Sequence, residues 1–152
     1  MTGKALIIDD DEAVRFVVRQ ALIDDGWTVV ELDDGSEAEP SFAANAFDLV
    51  VLDLYMPGMN GFEVLRRLRR YKALTAPAWK TRADVPVLVV SGEAQEGGLS
   101  FAQRVGANAC LSKPFDVSEL QRTARELFQV GRRRVLAAPP RARPGGSKKE
   151  TS

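Results

Sequence analysis

Five polar residues of this chain each follow a run of apolar ones, and their chemistry is complementary. Asp9 and Asp10 end Ala5-Leu6-Ile7-Ile8, Asp53 ends Leu49-Val50-Val51-Leu52, Ser91 ends Val87-Leu88-Val89-Val90, and Lys113 follows Ala109-Cys110-Leu111-Ser112. Hard carboxylate oxygens suit Mg²⁺, which takes one or two protein carboxylates and keeps several waters. A carboxylate held beside such a cation can attack phosphorus, and a hydroxyl and an ammonium facing it can meet the charge that develops on phosphoryl oxygens. Taken singly, each residue has an ordinary reading, since Asp and Ser form turns and Lys decorates surfaces. Taken together, five such groups at the ends of four apolar runs point to an aspartyl phosphate site. No second base for passing a phosphoryl group to a substrate accompanies them.

The runs must be strands for those ends to meet. Residues 4–8, 28–32, 48–53, 85–90 and 109–111 are short and rich in Val, Ile and Leu, as buried parallel strands are. Between them, apolar residues recur at three and four. Val14, Val17, Val18, Ala21 and Leu22 predict a helix over 12–24, closed by Asp24-Asp25-Gly26. A weaker helix over 36–45 contains Pro40, which fits only in a first turn or at a kink. Phe62, Leu65 and Leu68 mark a third helix whose other face carries Arg66, Arg67, Arg69, Arg70 and Lys72, read as solvated. Helices over 95–105 and 116–130 complete the pattern, the last capped by Asp116 or Ser118. Five alternations of strand and helix predict an α/β flavodoxin-like (βα)5 three-layer sandwich with parallel strand order 2-1-3-4-5. That order sets strands 1 and 3 side by side, so Asp9, Asp10 and Asp53 converge.

Composition removes other chemistries. The chain of 152 residues has no His and one Cys, Cys110, so His-based zinc sites, Ser-His triads, a phosphohistidine relay and internal disulfides are excluded. No apolar run approaches the ~20 residues of a membrane helix, and a cytoplasmic protein without membrane association is expected. The formal net charge of zero conceals an asymmetry. Residues 1–131 are read as one acidic domain, and residues 132–152 as a disordered basic tail in which seven cations face the single Glu150. With no aromatic for base stacking, the tail reads as a solvated extension and nucleic acid is not an expected partner.

These motifs resemble the receiver domain of response regulators in bacterial two-component, CheY-like phosphorelay signalling. The resemblance spans about residues 4–130 and rests on Leu6-Ile7-Ile8-Asp9-Asp10-Asp11, on Asp53 with Met56-Pro57-Gly58-Met59-Asn60-Gly61, on Val89-Val90-Ser91-Gly92 and on Lys113-Pro114-Phe115. It implies that Asp53 is the phosphoacceptor and that Asp10, Asp53 and the backbone carbonyl of Tyr55 contact Mg²⁺, with Asp9 assisting through water. It further implies that Ser91 and Lys113 bind the phosphoryl oxygens and that the Lys113-Pro114 peptide is cis. The partners implied are a sensor histidine kinase or phosphotransfer protein upstream and a downstream protein target. The expected product is a single-domain phosphoprotein rather than a turnover enzyme, acting only on its own Asp53.

Three features depart from the family pattern. Cys110 stands where an aromatic switch residue is usual, so activation relies on the loop and helix after strand 4, or is weakly coupled, or the residue simply fills core space. Residues 73–85 form a long connection whose Trp79 either anchors a partner or, the favoured reading, folds back onto its own domain. Tyr55 and Glu93 each lie two residues after a site residue, and bulky Tyr55 is expected to shield an aspartyl phosphate from water. Two rival functions remain in view. A haloacid-dehalogenase-like phosphatase wants a second Asp where this chain has Tyr55. A phosphorylation-independent scaffold on the same fold would leave the intact acidic set without a use.

Overall fold

The computed structural model describes residues 3–72, 78–92 and 98–137. The strands are β1 (Lys4–Ile8), β2 (Thr28–Leu32), β3 (Leu49–Leu52), β4 (Val87–Ser91) and β5 (Ala109–Ser112). They alternate with helices α1 (Glu12–Asp24), α2 (Ala38–Ala44), α3 (Gly61–Arg70), α4 (Gly98–Val105) and α5 (Val117–Ala137). All strands pair in parallel in the order β2-β1-β3-β4-β5. This is the flavodoxin-like arrangement expected from the sequence.

Strand periodicity divides the core into two layers. Leu6, Ile8, Val50, Leu52, Val87 and Val89 face one side, where Phe42 of α2, Leu65 and Leu68 of α3 and Ala102 of α4 cover them. Ala5, Ile7, Leu49, Val51, Leu88 and Val90 face the other, against Val18 and Leu22 of α1 and Leu120 and Ala124 of α5. Both faces of the central strands are thereby buried, which is why β3 and β4 read as uninterrupted apolar runs.

Element ends shift from the expected positions for local reasons. Pro40 sits in the first turn of α2, after a short 3-10 turn at Gly35–Glu37 that Asp34 caps. Strand β4 begins at Val87 rather than Val85, because the Val85 N–H is used in a turn to the Arg82 carbonyl and Pro86 has no N–H to offer. The Pro86 carbonyl still accepts from Val50 at 3.0 Å. Helix α4 starts at Gly98, and residues 95–97 of the expected helix lie outside the described residues, as does Glu93. Helix α5 passes the expected end at 130 and runs to Ala137, so the first part of the expected disordered tail, 132–137, is helical. Gly131 costs a helix interior about 1 kcal/mol, and a Cβ there would lie 3.0 Å from Pro86 Cγ, tighter than an ordinary contact. The rest of the tail lies outside the described residues.

Two further expectations about side chains meet different outcomes. Trp79 folds back onto its own domain, stacked on Tyr71 with centroids 3.9 Å apart and tilted against Phe42 at 5.3 Å. Residues 73–77 of the same connection lie outside the described residues. The basic face of α3 is not wholly solvated. Arg66 and Arg67 lie outward and pair with Glu63, whose carboxyl their hydrogen bonds hold down at about 2. Arg69 instead turns inward and donates to the carbonyls of Ala83, Val85 and Gly106 and to Asn108 Oδ1, tying two loops to α3. Its burial lowers the guanidinium to about 10.

Candidate functional site

The carboxyl ends of β1 and β3 are adjacent, with Ile8 in register with Leu52, and the chain beyond each carries its acid to one edge of the sheet. Carboxylate oxygens of Asp9, Asp10 and Asp53 all lie within 4.8 Å of one another. Asp9 and Asp53 are buried and Asp10 is exposed, so the cluster opens to solvent on the Asp10 side. Asp11, third in the acidic run, does a different job. Its carboxylate accepts the N–H groups of Ala13 and Val14 and caps α1. The Asp11 N–H in turn donates to Asp9 Oδ1 at 2.9 Å, which fixes the Asp9 side chain.

Lys113 reaches this cluster from the end of β5. Its Nζ is 2.8 Å from Asp9 Oδ2 and 3.5 Å from Asp53 Oδ2. The Lys113 N–H donates to the Ser91 carbonyl at 2.9 Å, continuing the β4–β5 ladder one residue past the strands. The following Lys113-Pro114 peptide is cis, as the family resemblance implies. Ser91, paired with Ser112 at the end of β4, is fully buried, and its Oγ has no hydrogen-bond partner among the described residues. An unpaired buried hydroxyl is costly unless something else satisfies it.

The loop after β3 is fitted tightly around Asp53. Gly61, the first residue of α3, is obligatory because a Cβ there would come within 2.1 Å of the Asp53 carbonyl oxygen. Asn60 caps α3 by accepting the Glu63 N–H at 3.0 Å, and the Gly61 N–H donates to the Leu54 carbonyl at 2.9 Å. The Tyr55 N–H approaches Asp53 Oδ1 at 3.5 Å, which keeps the Tyr55 backbone beside the acids. Its ring is partly exposed and lies edge-on to Phe62, which continues to Phe101 of α4.

Electrostatics follow from this crowding. Burial, and then the neighbouring charge of Asp9, raise the Asp53 carboxyl above its ordinary range, against the lowering pull of Lys113. For Lys113, burial works downward, but the hydrogen bond to Asp9 and the charges of Asp9 and Asp53 outweigh it and the net shift is upward. Lys113 is therefore an ammonium at neutral pH. A donor set of carboxylate oxygens with one open side and a single nearby ammonium fits a hard divalent cation.

Sequence reasoning missed Arg15. Its Nη1 donates to the Asp9 carbonyl at 2.8 Å while its Nε lies 3.4 Å from Glu31, bracing the loop that presents the acids. Only its position one turn into α1 hinted at that reach. Cys110, at the family's aromatic position, is half-buried against the α3–α4 layer, with its Sγ 3.7 Å from the Leu99 carbonyl. Burial pushes its thiol up, so it is not an activated nucleophile.

The parallel (βα)5 sheet with three acids at the β1/β3 switch point and a lysine from β5 defines a flavodoxin-like protein with an acidic site at the strand ends. The response regulator receiver domain model matches residues 5–125, and the chain belongs to that family. It is 34% identical over 127 residues to a chemotaxis protein CheY of Pseudomonas aeruginosa, covering 83% of this chain and 96% of that protein. It is 35% identical over 129 residues to the response regulator MprA of Mycobacterium ulcerans, covering 85% of this chain but 51% of MprA. The chain thus spans nearly all of one relative and about half of the other. In fold it resembles a CheY-like receiver domain from Methanospirillum hungatei, with a TM-score of 0.76 at 23% identity over 88% of this chain and 98% of that one. Receiver domains are signalling proteins that bind Mg²⁺ at an acidic pocket and interact with histidine kinases or phosphotransfer proteins.

Proposed function

We propose that this chain accepts a phosphoryl group on Asp53 from a phosphohistidine of a sensor kinase or phosphotransfer protein. A carboxylate oxygen of Asp53 attacks phosphorus, the phosphorus–nitrogen bond breaks, and the imidazole nitrogen leaves with the bonding pair. Lys113, already an ammonium 3.5 Å from Asp53, meets the charge on one phosphoryl oxygen. Ser91 Oγ, buried and unpartnered, donates to another. Asp10, Asp53 and the Tyr55 carbonyl would hold Mg²⁺, with Asp9 assisting through water. The ion would offset the repulsion between the acids and the incoming phosphoryl group. Among the described residues the site offers no further base beyond its acidic cluster for a separate substrate, and we read the product as a phosphoprotein that signals through altered contacts with a downstream protein and slowly loses its own phosphate. We place this exchange in the cytoplasm, and read the domain as followed by a basic extension.

The observation that carries this reading is the convergence of Asp9, Asp10 and Asp53 within 4.8 Å of one another, with Lys113 paired to Asp9 and Asp53. Labelling with acetyl phosphate and Mg²⁺ tests it. The wild type is expected to incorporate one phosphoryl group, and Asp53→Ala none. A variant that labels as well as the wild type would sink the assignment.

A further inference from the structure

The sheet's other end, opposite Asp53, carries a feature that phosphoacceptor chemistry does not use. A cavity of about 240 Å³ lies where the connection into β4 passes the last turns of α5. Phe47, Pro86 and Phe128 give it an apolar floor. Its rim is cationic, with Lys80 and Arg82 from the connection and Arg132 and Arg134 from α5. Two acids also line it, and both are engaged. Asp48 accepts the Lys4 backbone N–H at 2.9 Å, and Asp84 pairs with Arg82 at 3.0 Å. Lys80, Arg132 and Arg134 have no carboxylate within salt-bridge distance among the described residues. The Arg132 guanidinium lies 5.8 Å from the Phe128 ring centroid, over the floor itself.

Both walls come from features that the receiver resemblance leaves unexplained, the long connection after α3 and the run of α5 past Gly131. Gly131 lets the helix approach Pro86 closely enough to close the cavity on that side. Four cations against two carboxylates leave this concavity with an excess of positive charge that a bound anion relieves, while a ring of Phe and Pro side chains favours a flat apolar body. At about 240 Å³ the space is smaller than the roughly 300–1,000 Å³ of drug-sized sites, which limits the occupant to one or two rings.

We infer that the cavity between the β4 connection and the end of α5 binds a small aromatic anion, its ring on Phe47, Pro86 and Phe128 and its carboxylate, sulfonate or phosphate among Lys80, Arg132 and Arg134. This site is separate from Asp53 and does not depend on the phosphoacceptor reading.

Titrating the full chain with naphthalene-1-sulfonate and following backbone amide NMR shifts tests it. Saturable shifts are expected at Phe47, Lys80, Val85, Phe128 and Gly131, with Asp9, Asp53 and Lys113 still. Arg132 and Arg134 are exposed, so Arg132→Gln with Arg134→Gln is expected to keep the fold's amide spectrum and weaken binding roughly fivefold or more. Naphthalene-1-methanol, the neutral counterpart, is expected to bind at least as weakly as the sulfonate binds the double variant. No saturable binding, shifts centred on the acidic cluster, undiminished affinity in the folded double variant, or equal affinity for the alcohol would each overturn the site.

Discussion

Replacing Asp53 by Asn is expected to make the metal-free protein more stable, although it destroys the proposed acceptor. Unit charges 4.8 Å apart repel by about 3.5 kcal/mol at an effective dielectric of about 20, the scale for Asp53 against Asp9. Asp10 adds a smaller share because it is exposed and screened. Lys113 at 3.5 Å returns about 5 kcal/mol on the same scale, nearly cancelling the two repulsions. What remains is chiefly the cost of burying the Asp53 charge, a couple of kcal/mol after relaxation. Asn keeps the shape without that charge, so a gain of about 2 kcal/mol is expected, or about 1 M in the urea midpoint. The sign with pH follows from the raised Asp53 carboxyl. A carboxyl whose folded pKa exceeds its unfolded one destabilises fully above the folded value, and the penalty fades as pH falls from there toward 3.8. The Asn advantage should therefore be greatest above the raised folded value and vanish in acid. Mg²⁺ at a hundredfold its dissociation constant adds about 2.7 kcal/mol to whichever form binds it. Urea melts in chelator and in excess Mg²⁺ should show the Asn variant ahead in the first and level or behind in the second. An Asn variant no more stable than the wild type in chelator at neutral pH would refute this reasoning. So would equal stabilisation of both proteins by Mg²⁺.

Two other substitutions probe features specific to this chain. Trp79→Ala removes a ring stacked on Tyr71 and packed on Phe42, and for a half-buried aromatic a loss of about 2 kcal/mol in urea unfolding is expected, with Trp27 left as the fluorescent reporter; a loss under about 0.5 kcal/mol would mean the connection is not anchored by that ring. Tyr55→Ala uncovers the acceptor side of the loop, and phosphate release from the labelled protein should quicken about fivefold, the equivalent of ~1 kcal/mol of barrier; unchanged or slower release would remove the shielding role.

The five strands and the strand order could be read from the sequence because burial on both faces writes continuous apolar runs, and because right-handed crossovers leave few alternatives. The acidic cluster around Asp53 was legible for a related reason, since polar residues that end such runs must collect at one edge. The missing N–H of Pro40 left a first turn or a kink, and the fold chose the first turn of α2. The end of α5 was not legible. Gly131 and the arginines after it look like a helix stop and a tail, and the nearness of Pro86 to this glycine appears only in the fold.

Arg69 shows the same limit from the other side. Its neighbours in sequence are outward cations, and nothing local separates it from Arg70, yet carbonyls from two distant loops draw it inward. Likewise, three consecutive aspartates are alike on paper. Asp11 became a helix cap, Asp9 a lysine partner and Asp10 the open side of the cluster once β1 ended at Ile8 and α1 began at Glu12. The sequence by itself determined which chemistry was available and at which end of the sheet it would gather, because periodicity and residue type are local properties. Tertiary structure alone decided which like residue takes which role and where a second, cationic cavity closes, because those depend on distances between segments that the chain's order does not encode.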